Sequence, residues 1–116
     1  MKGQLLPNAA RAIVSERKLK EYLLSQTHPD GRGKAKFFAA HGFSAEHWQV
    51  LAEALKSHAA AHPVAGEEET VFGVRYVVDG KLLAPDGRSP RVRSVWFIDV
   101  GSDNPRLVTA YPSPQR

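Results

Sequence analysis

The chain of 116 residues has no cysteine, which excludes disulfide frameworks, thiolate nucleophiles and cysteine-based metal sites. No apolar run reaches the ~18 residues of a membrane-spanning helix. Met1-Lys2-Gly3-Gln4 before Leu5-Leu6-Pro7 is too short for the apolar stretch of a signal peptide. The phosphate-cradling pattern G-x-x-x-x-G-K-[ST] is missing, so nucleotide hydrolysis of that type has no support. The nucleophile-elbow pattern G-x-S-x-G is missing too, and no Ser-His-Asp arrangement is legible. Acidic residues cluster only at Glu67-Glu68-Glu69, which argues against the paired carboxylates of a glycosidase. No cofactor and no metal are expected. A reducing compartment fits the missing cysteines, and the cytoplasm is the expected location.

What is present is a mixed, basic composition. Hydrophobic residues make up 42% of the chain, enough for one domain, 1–116, with one core. The net charge of +4 is unevenly placed. Residues 1–60 hold nine Lys and Arg against five Asp and Glu, whereas residues 61–116 hold seven of each. The whole surplus therefore belongs to the first half, where it permits a polyanionic partner; a small basic domain that binds no nucleic acid explains it equally well.

Periodicity divides the chain in the same way. Leu5-Leu6-Pro7-Asn8 reads as an extended lead-in or a short edge strand. Ser15 caps a predicted helix over 16–26, with Leu19, Tyr22 and Leu23 on one face. Thr27 to Gly31 breaks it, and a short helix over 33–41 carries Phe37 and Phe38 and stops at Gly42. A third helix is expected from Ser44 as N-cap, with Trp48, Leu51, Ala52, Leu55 and Ala59 in one stripe, ending near His62-Pro63. The acidic run 67–69 reads as a solvated linker or the beginning of a strand. From Val71 the period becomes two, predicting strands over 71–79, 89–100 and 106–111. Bends are expected at Asp79-Gly80 and Pro85-Asp86-Gly87, and a hairpin loop over 99–105. The predicted fold is α+β: N-terminal helices, mainly within 1–62, packed on one face of a three- to four-stranded antiparallel sheet over 70–112.

The groups able to do chemistry are His, Arg, Lys, Thr and Tyr. Metal-independent cleavage of RNA needs a base for the 2′-hydroxyl, an acid for the leaving oxygen, and cations for the phosphate. His28, in a loop beside Arg32, Lys34 and Lys36, is a candidate acid or base, or simply a polar turn residue. Arg32, Lys34 and Lys36 at a Gly-rich helix start are candidate phosphate contacts; a solvated basic helix start explains them equally well. Alternation places Arg91, Arg93, Val95 and Phe97 on one face of the long strand, and Val92, Ser94, Trp96 and Ile98 on the other. The two arginines can form a phosphate platform or protect a sheet edge. Leu107, Thr109 and Tyr111 share one face of the last strand, and Tyr111 can stack a base or donate a proton, or equally cap the core with its hydroxyl in water. His41, His47, His58 and His62 are assigned to helix ends or exposed faces, His58 and His62 forming an H-x₃-H pair with no evident third metal ligand. Trp48 and Trp96 are assigned to the core.

Three blocks carry a resemblance: Leu6-Pro7-Asn8-Ala9; His28-Pro29-Asp30-Gly31 with Lys34 to Phe38; and Val95-Trp96 through Leu107 to Pro112. Across nearly the whole chain they look like a bacterial family of small domains of unknown function, which brings no established activity. More loosely, helices followed by a sheet that closes on Thr109-Ala110-Tyr111-Pro112 resemble the barnase/EndoU/colicin/RelE ribonuclease-toxin group. That resemblance implies Arg93 as a phosphate-contacting strand residue and Thr109 and Tyr111 as site residues on the closing strand, with His28 the nearest histidine. The functional expectation is a metal-independent, toxin-like endoribonuclease, partnered by RNA and by a cognate antitoxin or immunity protein. The alternative is a non-enzymatic module binding nucleic acid or protein in a toxin–antitoxin or phage-defence system.

Overall fold

The first α-helix begins after Ser15, whose backbone is extended and whose Oγ accepts the Lys18 N–H at 2.9 Å. The computed structural model describes residues 4–25 and 32–113. Ser15 opens a single turn of α-helix, α1 (Glu16–Lys18), which widens at once into a π-turn over Leu19–Leu23. There the Leu24 N–H reaches back five residues to the Leu19 carbonyl at 2.7 Å. Leu24 then leaves helical geometry, so the regular helix expected over 16–26 is instead a short, irregular one. The extra residue in the turn lets Leu19, Leu23 and Leu24 all enter the core.

Helix α2 (Arg32–Ala40) buries Ala35 and Phe38. It ends as its glycine requires: Gly42 sits at φ 94°, with Gly42 N–H bonded to Ala39 O and Phe43 N–H to Phe38 O. Helix α3 (Trp48–Ala61) buries Leu51, Ala52, Leu55 and Ala59, the stripe read from the sequence, while Trp48 is half-buried against the same core. Its N-cap is His47 and not Ser44. Ser44 stands one turn earlier and accepts the His47 N–H at 3.3 Å, so its side chain stabilises the lead-in turn.

Four strands follow: β1 (Val64–Thr70), β2 (Gly73–Lys81), β3 (Arg91–Asp99) and β4 (Arg106–Pro112). They pair antiparallel in sequence order. Glu67, Glu68 and Glu69 lie within the edge strand β1, where like charges discourage pairing with another chain. Val71 and Phe72, expected to begin a strand, form the tip of the β1–β2 hairpin and are highly exposed. Asp79 and Gly80 do not bend the chain; β2 runs straight through them. Gly80 is there because the His62 ring lies against it: a Cβ at position 80 would stand 2.4 Å from the ring.

The helices cover one face of the sheet. Val78, Val92, Trp96, Leu107 and Ala110 meet Leu19, Leu23, Phe38, Leu51, Leu55 and Ala59 there. His58 belongs to this core and not, as expected, to an exposed face; it is 2% exposed. Its Nε2–H donates to the carbonyls of Gly80 (3.1 Å) and Val92 (3.0 Å), which fixes the tautomer. Nδ1 is then left to accept from Ser94 Oγ at 3.0 Å, and Ser94 Oγ accepts from Trp96 Nε1 at 2.8 Å. The ring nitrogens of His58, the Ser94 hydroxyl and the Trp96 N–H are thus all paired, and burial, the largest influence, holds the His58 pKa below its ordinary value. The H-x₃-H pair is thus structural. Among the described residues no group of three or more His, Asp or Glu could hold a metal ion.

Candidate active site

On the other face, antiparallel register sets Asp79 (β2), Arg93 (β3) and Tyr111 (β4) side by side, with Val77, Val95 and Thr109 in the adjoining row. Between β3 and β4 the register steps from Val95↔Thr109 to Trp96↔Leu107, leaving Val108 as an extra residue. This bulge overturns the expected common face for Leu107, Thr109 and Tyr111. Leu107 turns into the core beside Trp96, whereas Thr109 and Tyr111 keep the face of Arg93.

Asp79 anchors the row. Its carboxylate side chain is only 8% exposed and takes three hydrogen bonds of 2.8 Å: Arg93 Nε and Ser113 Oγ on Oδ2, and Arg91 Nη2 on Oδ1. Burial disfavours the charged carboxylate. The bonds from Arg93, Ser113 and Arg91 outweigh it and hold the Asp79 pKa below the usual range. Reciprocally, Asp79 first and then the Tyr111 phenol stabilise the Arg93 cation. Because Arg93 meets Asp79 through Nε, the plane of its guanidinium is fixed.

Helix α2 brings the second cation. Lys34 Nζ lies 2.6 Å from Tyr22 Oη and 3.1 Å from Thr109 Oγ1, with the Tyr111 ring centroid at 6.0 Å. Three elements distant in sequence (the π-turn, α2 and β4) thereby converge on one ammonium group. Arg91, Arg93 and Lys34 against Asp79 leave a local surplus of two positive charges. An anion is the natural ligand of such a face.

Of the residues singled out from the sequence, Arg91, Arg93, Lys34, Thr109 and Tyr111 come together. Lys36 does not join Lys34: two residues further along a helix lies about 200° around the axis, and Lys36 is exposed on another side. Arg32 opens α2, and its side chain lies outside the described residues, as does His28 with the whole of 26–31. His41 is turned away from the site, 3.2 Å from Asp86 in the β2–β3 connection. Sequence reasoning missed Asp79, Ser113 and Tyr22. Asp79 was read as a bend residue, and the alternation that puts it opposite Arg93 becomes visible only once β2 is extended to Lys81.

A family model described as "Domain of unknown function (DUF6883)" matches residues 5–114. The chain belongs to this family. No curated protein matches it. The fold is similar to that of a chain in a contact-dependent growth inhibition toxin–immunity protein complex from Klebsiella pneumoniae 342. The TM-score is 0.71 at 15% identity, and the likeness covers 90% of this chain and 96% of that one. At that identity the likeness shows a common architecture. No helix among the described residues is long and apolar enough to cross a membrane.

Proposed function

We propose that this member of the family is a toxin-like endoribonuclease that cleaves single-stranded RNA without a metal ion. The observation that carries the reading is the convergence of Lys34, Thr109, Tyr111 and Arg93 on one face, two cations interleaved with hydroxyl groups. The likeness in fold to a chain of a toxin–immunity complex supports a toxin-like role, with a cognate immunity protein as the second partner. The donor set also favours a metal-free route. The carboxylate beside the site, Asp79, is already occupied by two guanidinium groups and a hydroxyl.

In the reaction the 2′-oxygen of one nucleotide bonds to the neighbouring phosphorus, and the bond from phosphorus to the 5′-oxygen breaks. The 2′-hydroxyl proton passes to a base, for which His28 is the candidate by residue type. Tyr111 returns a proton to the departing 5′-oxygen. Lys34 and the Arg93 guanidinium hold the phosphate as negative charge develops on it. Thr109, bonded to Lys34, positions that ammonium. The test is incubation of total RNA with the protein in EDTA, read on a denaturing gel, beside Arg93→Ala, Lys34→Met and His28→Ala. Discrete fragments that disappear in all three variants are expected. Intact RNA with the wild-type protein, accompanied by a salt-dependent mobility shift, would replace the enzyme with a binding module.

A further inference from the structure

The face of the sheet that carries the charged row continues past it. Two rows further on, register places Arg75 (β2), Phe97 (β3) and Arg106 (β4) side by side. Phe97 stands four positions from Arg93 on β3, or about 13 Å along the strand. We infer that this row is a nucleotide subsite, in which a base flanking the reacting phosphate stacks on the Arg106 guanidinium while the sugar–phosphate backbone runs along β3 from Arg93 to Arg75. The inference rests on the reading of the Arg93 site as RNA-directed.

A flat cation is held ready there. Asp99 grips Arg106 along one edge, accepting from Nε on Oδ2 at 2.8 Å and from Nη2 on Oδ1 at 3.2 Å, which fixes the plane of the guanidinium. Arg106 Cζ also lies 5.2 Å from the centre of the half-buried Phe97 ring, a cation–π contact that backs the group. The Arg106 side chain nevertheless remains 50% exposed. A guanidinium restrained by a carboxylate and a ring, and still open to water, offers a base a stacking surface that a flexible lysine lacks. Because Asp99 neutralises Arg106, this pair contributes a plane more than a charge. The charge for the backbone comes from Arg75, exposed on the other side of Phe97. Continuity with the reacting centre follows from the row in between. Val77, Val95 and Thr109 carry no charge, so no carboxylate interrupts the path from Arg93 to Phe97. On β1, Glu68 stands opposite Arg75 and bounds the path, since a carboxylate at the sheet edge repels a phosphate backbone.

The experiment measures binding of a labelled single-stranded 2′-O-methyl hexanucleotide, which lacks the nucleophilic hydroxyl and survives intact. Arg106→Ala is expected to weaken binding on the order of tenfold, the scale of one stacked base. Its pair with Asp99 is half-exposed, so the fold survives the change. Arg106→Lys keeps the charge but loses the plane, and should bind within about twofold of Arg106→Ala. Arg75→Ala should lower the slope of log affinity against log salt by about one. Replacing each base in turn by an abasic sugar needs no variant protein: one position should weaken wild-type binding by the same order and add nothing in Arg106→Ala. Wild-type affinity in Arg106→Ala, recovery in Arg106→Lys, an unchanged salt slope in Arg75→Ala, or an abasic penalty that persists in Arg106→Ala overturns the subsite. Should any of these be seen while Lys34→Met still abolishes RNA cleavage, the subsite alone has failed. A wild-type protein that neither binds the hexanucleotide nor cleaves RNA overturns the subsite together with the reading it rests on.

Discussion

Asp79→Asn is the most informative single change, because it keeps the shape of the side chain and removes the charge that organises the site. The amide offers one acceptor oxygen where the carboxylate offers two, and its NH₂ must face either Arg91 or the pair formed by Arg93 and Ser113. At least one charge-assisted hydrogen bond becomes a donor–donor clash. Such bonds contribute roughly 1.5–3 kcal/mol each. The arginine side chains, 26% and 48% exposed, retain access to water, which reduces the loss. A destabilisation of about 1–3 kcal/mol at pH 7 follows. For a domain of this size each kcal/mol lowers Tm by roughly 3–6 °C, so a fall near ~10 °C is expected.

The pH dependence fixes the cause. The folded-state pKa of Asp79 lies below its unfolded value, so the ionised carboxylate stabilises the fold. That contribution is complete above the unfolded carboxylate value, near ~4, and disappears as pH falls through the lowered folded value. Melting curves of both proteins from pH 7 to pH 2.5 should therefore show a constant gap above about pH 5 that closes in acid. Asp86 and Asp99 are also shifted down, Asp86 chiefly by the Arg88 backbone N–H and Asp99 by the Arg106 side chain, and they persist in the variant. Some acid sensitivity thus remains in Asp79→Asn. Equal melting temperatures at pH 7, or a gap that stays constant down to pH 2.5, would refute the reasoning.

Two further outcomes concern the opposite face. Burial lowers the His58 pKa, so the unfolded chain takes up the proton first: stability is complete above about pH 6.5 and declines as pH falls from there towards the folded value. His58→Gln should remove this decline below about pH 6.5 and cost about 2–4 kcal/mol by leaving Ser94 and two carbonyls poorly paired, as read by urea titration at each pH. Gly80→Ala pushes a methyl group into the His62 ring and should cost about 1–3 kcal/mol. Adding His62→Ala should recover most of that loss, and a double variant no more stable than Gly80→Ala alone would remove the steric explanation.

The α3 stripe, the Gly42 stop and the two central strands were legible because each depends on local pattern: apolar spacing, a glycine cap, alternation. Failures arose where tertiary contacts outweighed local signals. Gly80 reads as a bend in isolation, but a glycine within a strand also accommodates a neighbour's ring, and nothing near it in sequence announces His62. His58 reads as a polar residue near a helix end; its burial depends on two strand carbonyls more than twenty residues away. Arg93, Thr109 and Tyr111 were recognisable as a group from the closing strands. Tyr22 was not, since Leu19, Tyr22 and Leu23 together look like an ordinary helical face, and only the π-turn separates the tyrosine from the two leucines.

The sheet carries its two polar networks back to back, and the spacing between them is a single residue. Gly80, Val92 and Ser94 serve His58 on the covered face, while their immediate neighbours Asp79, Arg91 and Arg93 build the charged row on the other. Since side chains alternate strictly along a strand, a slip of one residue between β2 and β3 would pull Asp79 away from Arg93 and at the same time strip His58 of its partners. The two networks therefore enforce the same register, and neither tolerates the alternative. β4 has a different requirement. It must send Leu107 and Ala110 into the core, three residues apart, and still present Thr109 and Tyr111 to Lys34 and Arg93. No uninterrupted strand can do both, because positions 107 and 110 fall on opposite faces under strict alternation. The extra residue at Val108 resolves the conflict, so the bulge in β4 is what allows one short strand to close the core and complete the site.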